Sequence, residues 1–212
     1  MDTRPSELTV GAFIGQLASD APVPGGGSAS ALAGAMGAAL VQMVVALSTG
    51  RAQAADVEDA LRELGIAAAG FQSELLRLVE IDAAAYGSVI AARRLPRETD
   101  RERDLRRMQI DAAIREATRS PLAIADRSGE VMKLAERLAP IGSRNAISDV
   151  GVAGLLAAAA LRGAALNVRI NLPYLPEDEP LRSEAGTRVD ELLTGLDERE
   201  AALRDAVAER LG

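Results

Sequence analysis

Along most of the chain, apolar positions recur every three or four residues, and nowhere does a sustained alternation of period two appear. The pattern predicts helices and no sheet. A first helix is expected from about Glu7 to Ala18, where Asp20-Ala21-Pro22-Val23-Pro24 breaks it. A second begins near Ser28, whose hydroxyl is placed to cap it, and stops at Thr49-Gly50. The third is long, from about Ala54 to Arg93, ending ahead of Pro96. Thr99 with Glu102 has the form of a capping box and opens a fourth helix that reaches Leu138. Ser120-Pro121 lies inside it and is expected to kink or split it. After a loop from Pro140 to Asn145, Ser148 is read as the cap of a fifth helix ending near Asn171. A charged last helix follows from about Leu181 to Leu211. No repeat or linker interrupts the series, so residues 1–212 are expected to form one all-α domain, a mostly antiparallel bundle of long helices.

Composition sharpens this picture. The chain is 48% hydrophobic, yet it holds only two Phe, two Tyr and no Trp. Ala, Leu and Val must therefore fill the core, which favours helices packed close together. The second and fifth helices are too uniformly small and apolar to leave a face in water, and a homodimer with both in its interface is expected. A net charge of −7 argues against nucleic acid and anionic membranes as partners. No signal peptide and no uninterrupted apolar run long enough to span a bilayer is read in the sequence. With no cysteine there are no disulfides, and the expected location is cytoplasmic.

The absence of histidine is the strongest restriction on chemistry. It removes Ser-His-Asp and Cys-His catalysis and the ordinary histidine-bearing zinc and di-iron sites, and no metal is expected. The one lysine, Lys133, sits in a charged helical stretch, which disfavours Schiff-base chemistry. Proton transfer falls to Asp, Glu, Tyr, Lys, Arg or water.

Asp82 stands out on periodicity. Leu64, Ala68, Phe71, Leu75 and Leu78 form one stripe of the third helix, and Asp82 is its next position, followed by Tyr86 and Val89. A carboxylate on an apolar stripe is desolvated, so its pKa rises unless a partner compensates, and it then suits general acid–base work. A structural Asp bonded to a neighbouring helix fits the same pattern. Glu80 points to another face and reads as a solvated acid.

On the fifth helix, Asp149, Asn167 and Asn171 share a stripe, with Asp149 and Asn167 roughly 27 Å apart at 1.5 Å per residue. Such a pair brackets an extended ligand or an intersubunit groove. Asn167 and Asn171, one turn apart, have the donors and acceptors to bind the amide edge of a ligand, or to fix the register between helices. Arg93, Arg94 and Arg97 cluster where the third helix ends, suited to carboxylates or simply to the helix C-terminus. Gly25, Gly26, Gly27 and Ser28 lead into the second helix, whose free N–H groups and dipole favour an anion; a tight turn into a core helix explains them equally.

Pro22-Val23-Pro24-Gly25-Gly26-Gly27-Ser28-Ala29-Ser30-Ala31, with Phe13 and Leu17-Ala18-Ser19 before it, resembles the opening of the cyclodeaminase/cyclohydrolase family of folate one-carbon enzymes. Three later stretches resemble the same family in order: Asp82 to Tyr86 running on to Leu95-Pro96-Arg97, then Asn145-Ala146-Ile147-Ser148-Asp149, then Asn167 to Leu172. Together they span roughly residues 10–172. The resemblance implies that Asp82, in the Asp-x-x-Ala-aromatic motif, is catalytic. It also implies that the glycine-rich start of the second helix borders the folate site, with substrate contacts at Arg97, Asn145, Asp149, Asn167 and Asn171. Arg51 matches a basic position beyond the second helix. The family's Gly-Asn before Asn-x-x-Ser-Asp reads Gly142-Ser143 here, so no role passes to Ser143.

The implied enzyme acts on the C1 bridge between N5 and N10 of tetrahydrofolate and needs no cofactor besides this substrate. A cyclohydrolase adds water to 5,10-methenyl-tetrahydrofolate and gives the 10-formyl form; this is the expected activity. A cyclodeaminase, the alternative, closes 5-formimino-tetrahydrofolate to the methenyl form and expels ammonia. A non-enzymatic helical oligomerisation protein is the competing class, since the small residues of the second and fifth helices also suit assembly.

Overall fold

The structure, a computed structural model, describes residues 4–50 and 54–211. Arg51 lies outside the described residues. Seven α-helices run through it: α1 (Val10–Leu17), α2 (Gly26–Ser48), α3 (Ala55–Arg93), α4 (Asp100–Leu138), α5 (Ile147–Asn171), α6 (Pro180–Leu193) and α7 (Leu196–Leu211). Single 3₁₀ turns lie at Pro5–Glu7, Arg144–Ala146 and Leu172–Tyr174, and no strand occurs among the described residues.

Helices α2 to α5 close a four-membered ring: α2 packs on α3 and α5, and α4 packs on the same two. Cross-helix pairs show that neighbours run antiparallel. Between α3 and α4, Glu63, Glu74 and Asp82 meet Arg137, Arg127 and Ser120, one series rising as the other falls. The core is Ala, Val and Leu, with Phe13 of α1 as its buried aromatic ring. Small residues let the ring tighten; a Cβ at Gly37 of α2 would stand 3.0 Å from the Ala153 carbonyl of α5.

Local chemistry explains the boundaries, and several differ from expectation. The capping box is complete: Thr99 Oγ1 accepts from the Glu102 N–H at 3.2 Å, and the Glu102 carboxylate accepts from the Thr99 N–H at 2.9 Å. Ser28 is not the cap of α2. That helix begins two residues earlier behind Gly25, which carries no side chain to cap it, and Ser28 is buried inside the first turn. Ser148 is likewise inside α5, because the Arg144–Ala146 turn brings the chain into helix sooner. Pro121 does not split α4, which runs unbroken through it. The charged C-terminal stretch is two helices, since Gly195, at φ 71°, turns the chain in a conformation that disfavours any side chain.

α7 ties the far end of the ring. Arg210 donates to the Ala139 and Gly142 carbonyls beyond the end of α4. Arg199 holds Glu136 with two bonds, at 2.7 and 2.9 Å.

The expectation that no uninterrupted apolar run is long enough to span a bilayer meets two helices that qualify by length and composition. Two helical stretches, Gly26–Ser48 and Arg144–Tyr174, are long and apolar enough to cross a membrane, and half of each apolar window is buried inside the bundle. The unburied part is apolar too: Met36, Met43 and Leu47 face out from α2, as do Val152, Leu155, Leu166 and Ile170 from α5.

Candidate active site

One end of the ring opens into a cleft of about 300 Å³ between α2, α3, α4 and α5. Gly25, Gly26 and Gly27, Asp82 and Tyr86, Ala117, and Asn167 and Asn171 all line it, along with Pro22, Val23 and Ile170. Four separate sequence stretches therefore meet in one place.

Asp82 is its centre. Its Oδ2 lies 3.0 Å from Ser28 Oγ, whose single proton is shared with the Val79 carbonyl at 3.1 Å, and its Oδ1 accepts from Ser120 Oγ at 3.1 Å. The Ser28 backbone N–H also donates to this carboxylate. Because Gly25 offers no capping side chain, Asp82 of α3 satisfies the free N–H end of α2 from across the bundle. The anion that suits this glycine-rich helix start is thus supplied by the chain itself. Gly27 makes the approach possible, since a Cβ there would collide with the Asp82 carboxylate.

Burial raises the Asp82 pKa above the ordinary carboxylate value of 3.8; the bonds from Ser28 and Ser120 pull it down and do not cancel the burial. The result is a carboxylate held firmly on one side by three donors and facing a cleft on the other. Tyr86, one turn on and 47% exposed, flanks its mouth.

Asn167 packs over Gly26 and donates through Nδ2 to the Gly163 carbonyl at 2.8 Å, and Asn171 donates through Nδ2 to the Ala117 carbonyl of α4 at 2.6 Å. Among the described residues, no side-chain cation lines the cleft.

Three predicted contacts are elsewhere. Arg97 is exposed in the α3–α4 connection, where its carbonyl accepts from Arg103. Asn145 is exposed in the 3₁₀ turn before α5, and Asp149 is half-buried in the first turn of that helix, at the opposite end from Asn167 and Asn171. The separation along α5 is the cause, and within one chain these two do not touch the cleft. Glu80 lies outside the cleft, where it accepts from the Ser6 N–H at 2.6 Å and pins the N-terminal turn to α3. Ser120 escaped the sequence reading, which weighed Ser120-Pro121 only as a helix breaker; its spacing from Asp82 across a hairpin carries no local signal.

Residues 9–191 match the family model described as formiminotransferase-cyclodeaminase. The chain belongs to that family. A methenyltetrahydrofolate cyclohydrolase of Methylorubrum extorquens is 41% identical over 201 residues, covering 95% of this chain and 94% of that protein. The formimidoyltransferase-cyclodeaminase of Rattus norvegicus is 31% identical over 81% of this chain, which spans only 32% of that longer protein. In fold, the chain is similar to the crystal structure of formiminotetrahydrofolate cyclodeaminase from Thermotoga maritima, with a TM-score of 0.84 at 23% identity over 97% of this chain and 98% of that one.

Proposed function

We propose that this chain is a methenyltetrahydrofolate cyclohydrolase, converting 5,10-methenyl-tetrahydrofolate and water to 10-formyl-tetrahydrofolate, with Asp82 as the proton-transfer group. The observation that carries the chemistry is the Asp82 carboxylate, held by Ser28 and Ser120 and open to a cleft that no side-chain cation lines among the described residues. The near end-to-end similarity to the Methylorubrum extorquens cyclohydrolase favours hydrolysis over deamination.

The methenyl carbon is an amidinium-like cation between N5 and N10. The half-buried Asp82 carboxylate attracts it and stabilises positive charge. Asp82 takes a proton from water as the oxygen adds to that carbon. It returns the proton to N5 as the carbon–N5 bond breaks, and the hydroxyl proton leaves to solvent as the formyl C=O forms on N10. One proton is released per turnover, and no cofactor is required.

The cleft is sized for the pterin and its C1 bridge, so the rest of the folate extends outside it. Asn167 and Asn171 take the pterin edge. The tail leaves over Tyr86 toward Arg93, which lies on the same stripe of α3 as Asp82 and stacks over Tyr174 at 5.6 Å. Eleven residues of helix carry it about 16 Å from Asp82, and of the Arg93, Arg94 and Arg97 cluster it is the one that takes the carboxylate-binding role. The assembly proposed is a homodimer through the outward apolar stripes of α2 and α5. In it, Asn145 and Asp149 of one protomer reach the cleft of its partner.

Cyclodeaminase activity is the second reading, favoured by the similarity to the formimidoyltransferase-cyclodeaminases. Parallel assays separate the two: loss of methenyl absorbance above the spontaneous rate, and ammonia release from 5-formimino-tetrahydrofolate. Hydrolysis without ammonia release is expected. Ammonia release with no acceleration of hydrolysis assigns the second activity instead.

A further inference from the structure

Pro121 stands inside α4, the least favourable place in a helix for proline. Its missing N–H leaves the carbonyl four residues back, that of Ala117, without an intrahelical partner. Ala117 is buried at the wall of the cleft, and its carbonyl is taken by Asn171 Nδ2 at 2.6 Å. One turn earlier on α5, Asn167 Nδ2 is held by the Gly163 carbonyl at 2.8 Å. An amide can set only its NH2 against a carbonyl oxygen, so both side chains are fixed end for end and each keeps its Oδ1 as a free acceptor.

We propose that Pro121 is a positioning residue for substrate recognition: by freeing the Ala117 carbonyl it locks the Asn171 amide, leaving an acceptor that selects a ligand edge rich in N–H donors. The inference rests on the folate reading above, in which that edge is the 2-amino and N3–H pair of the pterin. The preceding residue, Ser120, donates to Asp82 at 3.1 Å, so one dipeptide step supports both the proton-transfer group and the recognition edge. The link from Pro121 to Asn171 runs through the Ala117 carbonyl, and its influence on substrate recognition passes through that amide.

The test is a double-mutant cycle with 5,10-methenyl-tetrahydrofolate as substrate: wild type, Pro121→Ala, Asn171→Ala and the double variant. Pro121→Ala returns an N–H to the Ala117 carbonyl and mends the helix. It should raise Tm, raise KM about tenfold, the effect of roughly one lost hydrogen bond, and leave kcat within about twofold. In the Asn171→Ala background the same change should leave KM within about twofold. Wild type should bind the 2-desamino analogue of the substrate about tenfold more weakly, and Pro121→Ala should erase that ratio. Pro121→Ser also restores the N–H and serves as the second variant should Pro121→Ala fail to fold. An unchanged KM in the single variants, or an equal rise in KM without Asn171, overturns the proposal while active wild type leaves the enzyme assignment standing. Wild type inactive on both folates removes that assignment and this inference with it.

Discussion

At the scale of single residues, Asp82 concentrates both stability and chemistry. Burial holds its pKa above 3.8, so the folded chain binds this proton more tightly than the unfolded chain does. The sign follows: the stabilisation is present below the unfolded pKa and is lost as pH rises through the folded value. At neutral pH the ionised side chain therefore opposes folding. Asp82→Asn should raise Tm at pH 7, with the advantage shrinking as pH falls toward 4, measured by thermal unfolding across pH. Gly27→Ala makes the complementary case: a methyl group where Asp82 now lies displaces the carboxylate, and an error of about 1 Å at a reacting group costs roughly 10²-fold in kcat. Circular dichroism should show its helix content intact. Asp82 was legible because a lone acid interrupted an apolar stripe. Ser28 and Ser120 were not, since their roles depend on which helices become neighbours, and no periodicity within one helix encodes that.

At the scale of elements, the helix pattern located α1 to α5 to within a few residues, and errors gathered at their ends. A serine near a helix start reads as a cap, yet Ser28 and Ser148 both sit within the first turn, α2 being capped by Asp82 from another helix. Only where the partners are local, at Thr99 and Glu102, did the sequence suffice. Thr99→Ala removes one side of that capping box and should lower stability by about 1 kcal/mol. Denaturant unfolding reads this as a lower midpoint with an unchanged slope, and kcat should stay at the wild-type value, because the cap lies outside the cleft. The proline in α4 shows the opposite limit: a breaker by propensity, it is accommodated because a neighbouring helix supplies the donor for the carbonyl it frees.

For the whole molecule, α2 and α5 carry apolar residues outward as well as inward, which makes both helices apolar enough to cross a membrane. The homodimer proposed above covers the outward ones. Replacing Met36 and Met43 by Glu puts four charges into a two-fold interface and should convert a dimer to monomer by light scattering at micromolar concentration. A monomeric wild type with full activity would remove the dimer from the account. Three of the four motifs converge on the cleft; the one holding Asn145 and Asp149 lies at the far end of α5, and the separation of Asp149 from Asn167 was readable from spacing alone.

The central claim is that Asp82 moves the proton. Its most direct measurement is the rate of 5,10-methenyl-tetrahydrofolate hydrolysis, corrected for the spontaneous reaction, by wild type and Asp82→Asn over the same pH range. The account predicts that kcat falls by about 10²–10⁴-fold in the variant. It also predicts that the wild-type loss of activity toward low pH, with an apparent pKa above 3.8, is absent from what remains. Near-normal turnover by a folded Asp82→Asn protein, or the same pH profile in both, would contradict it.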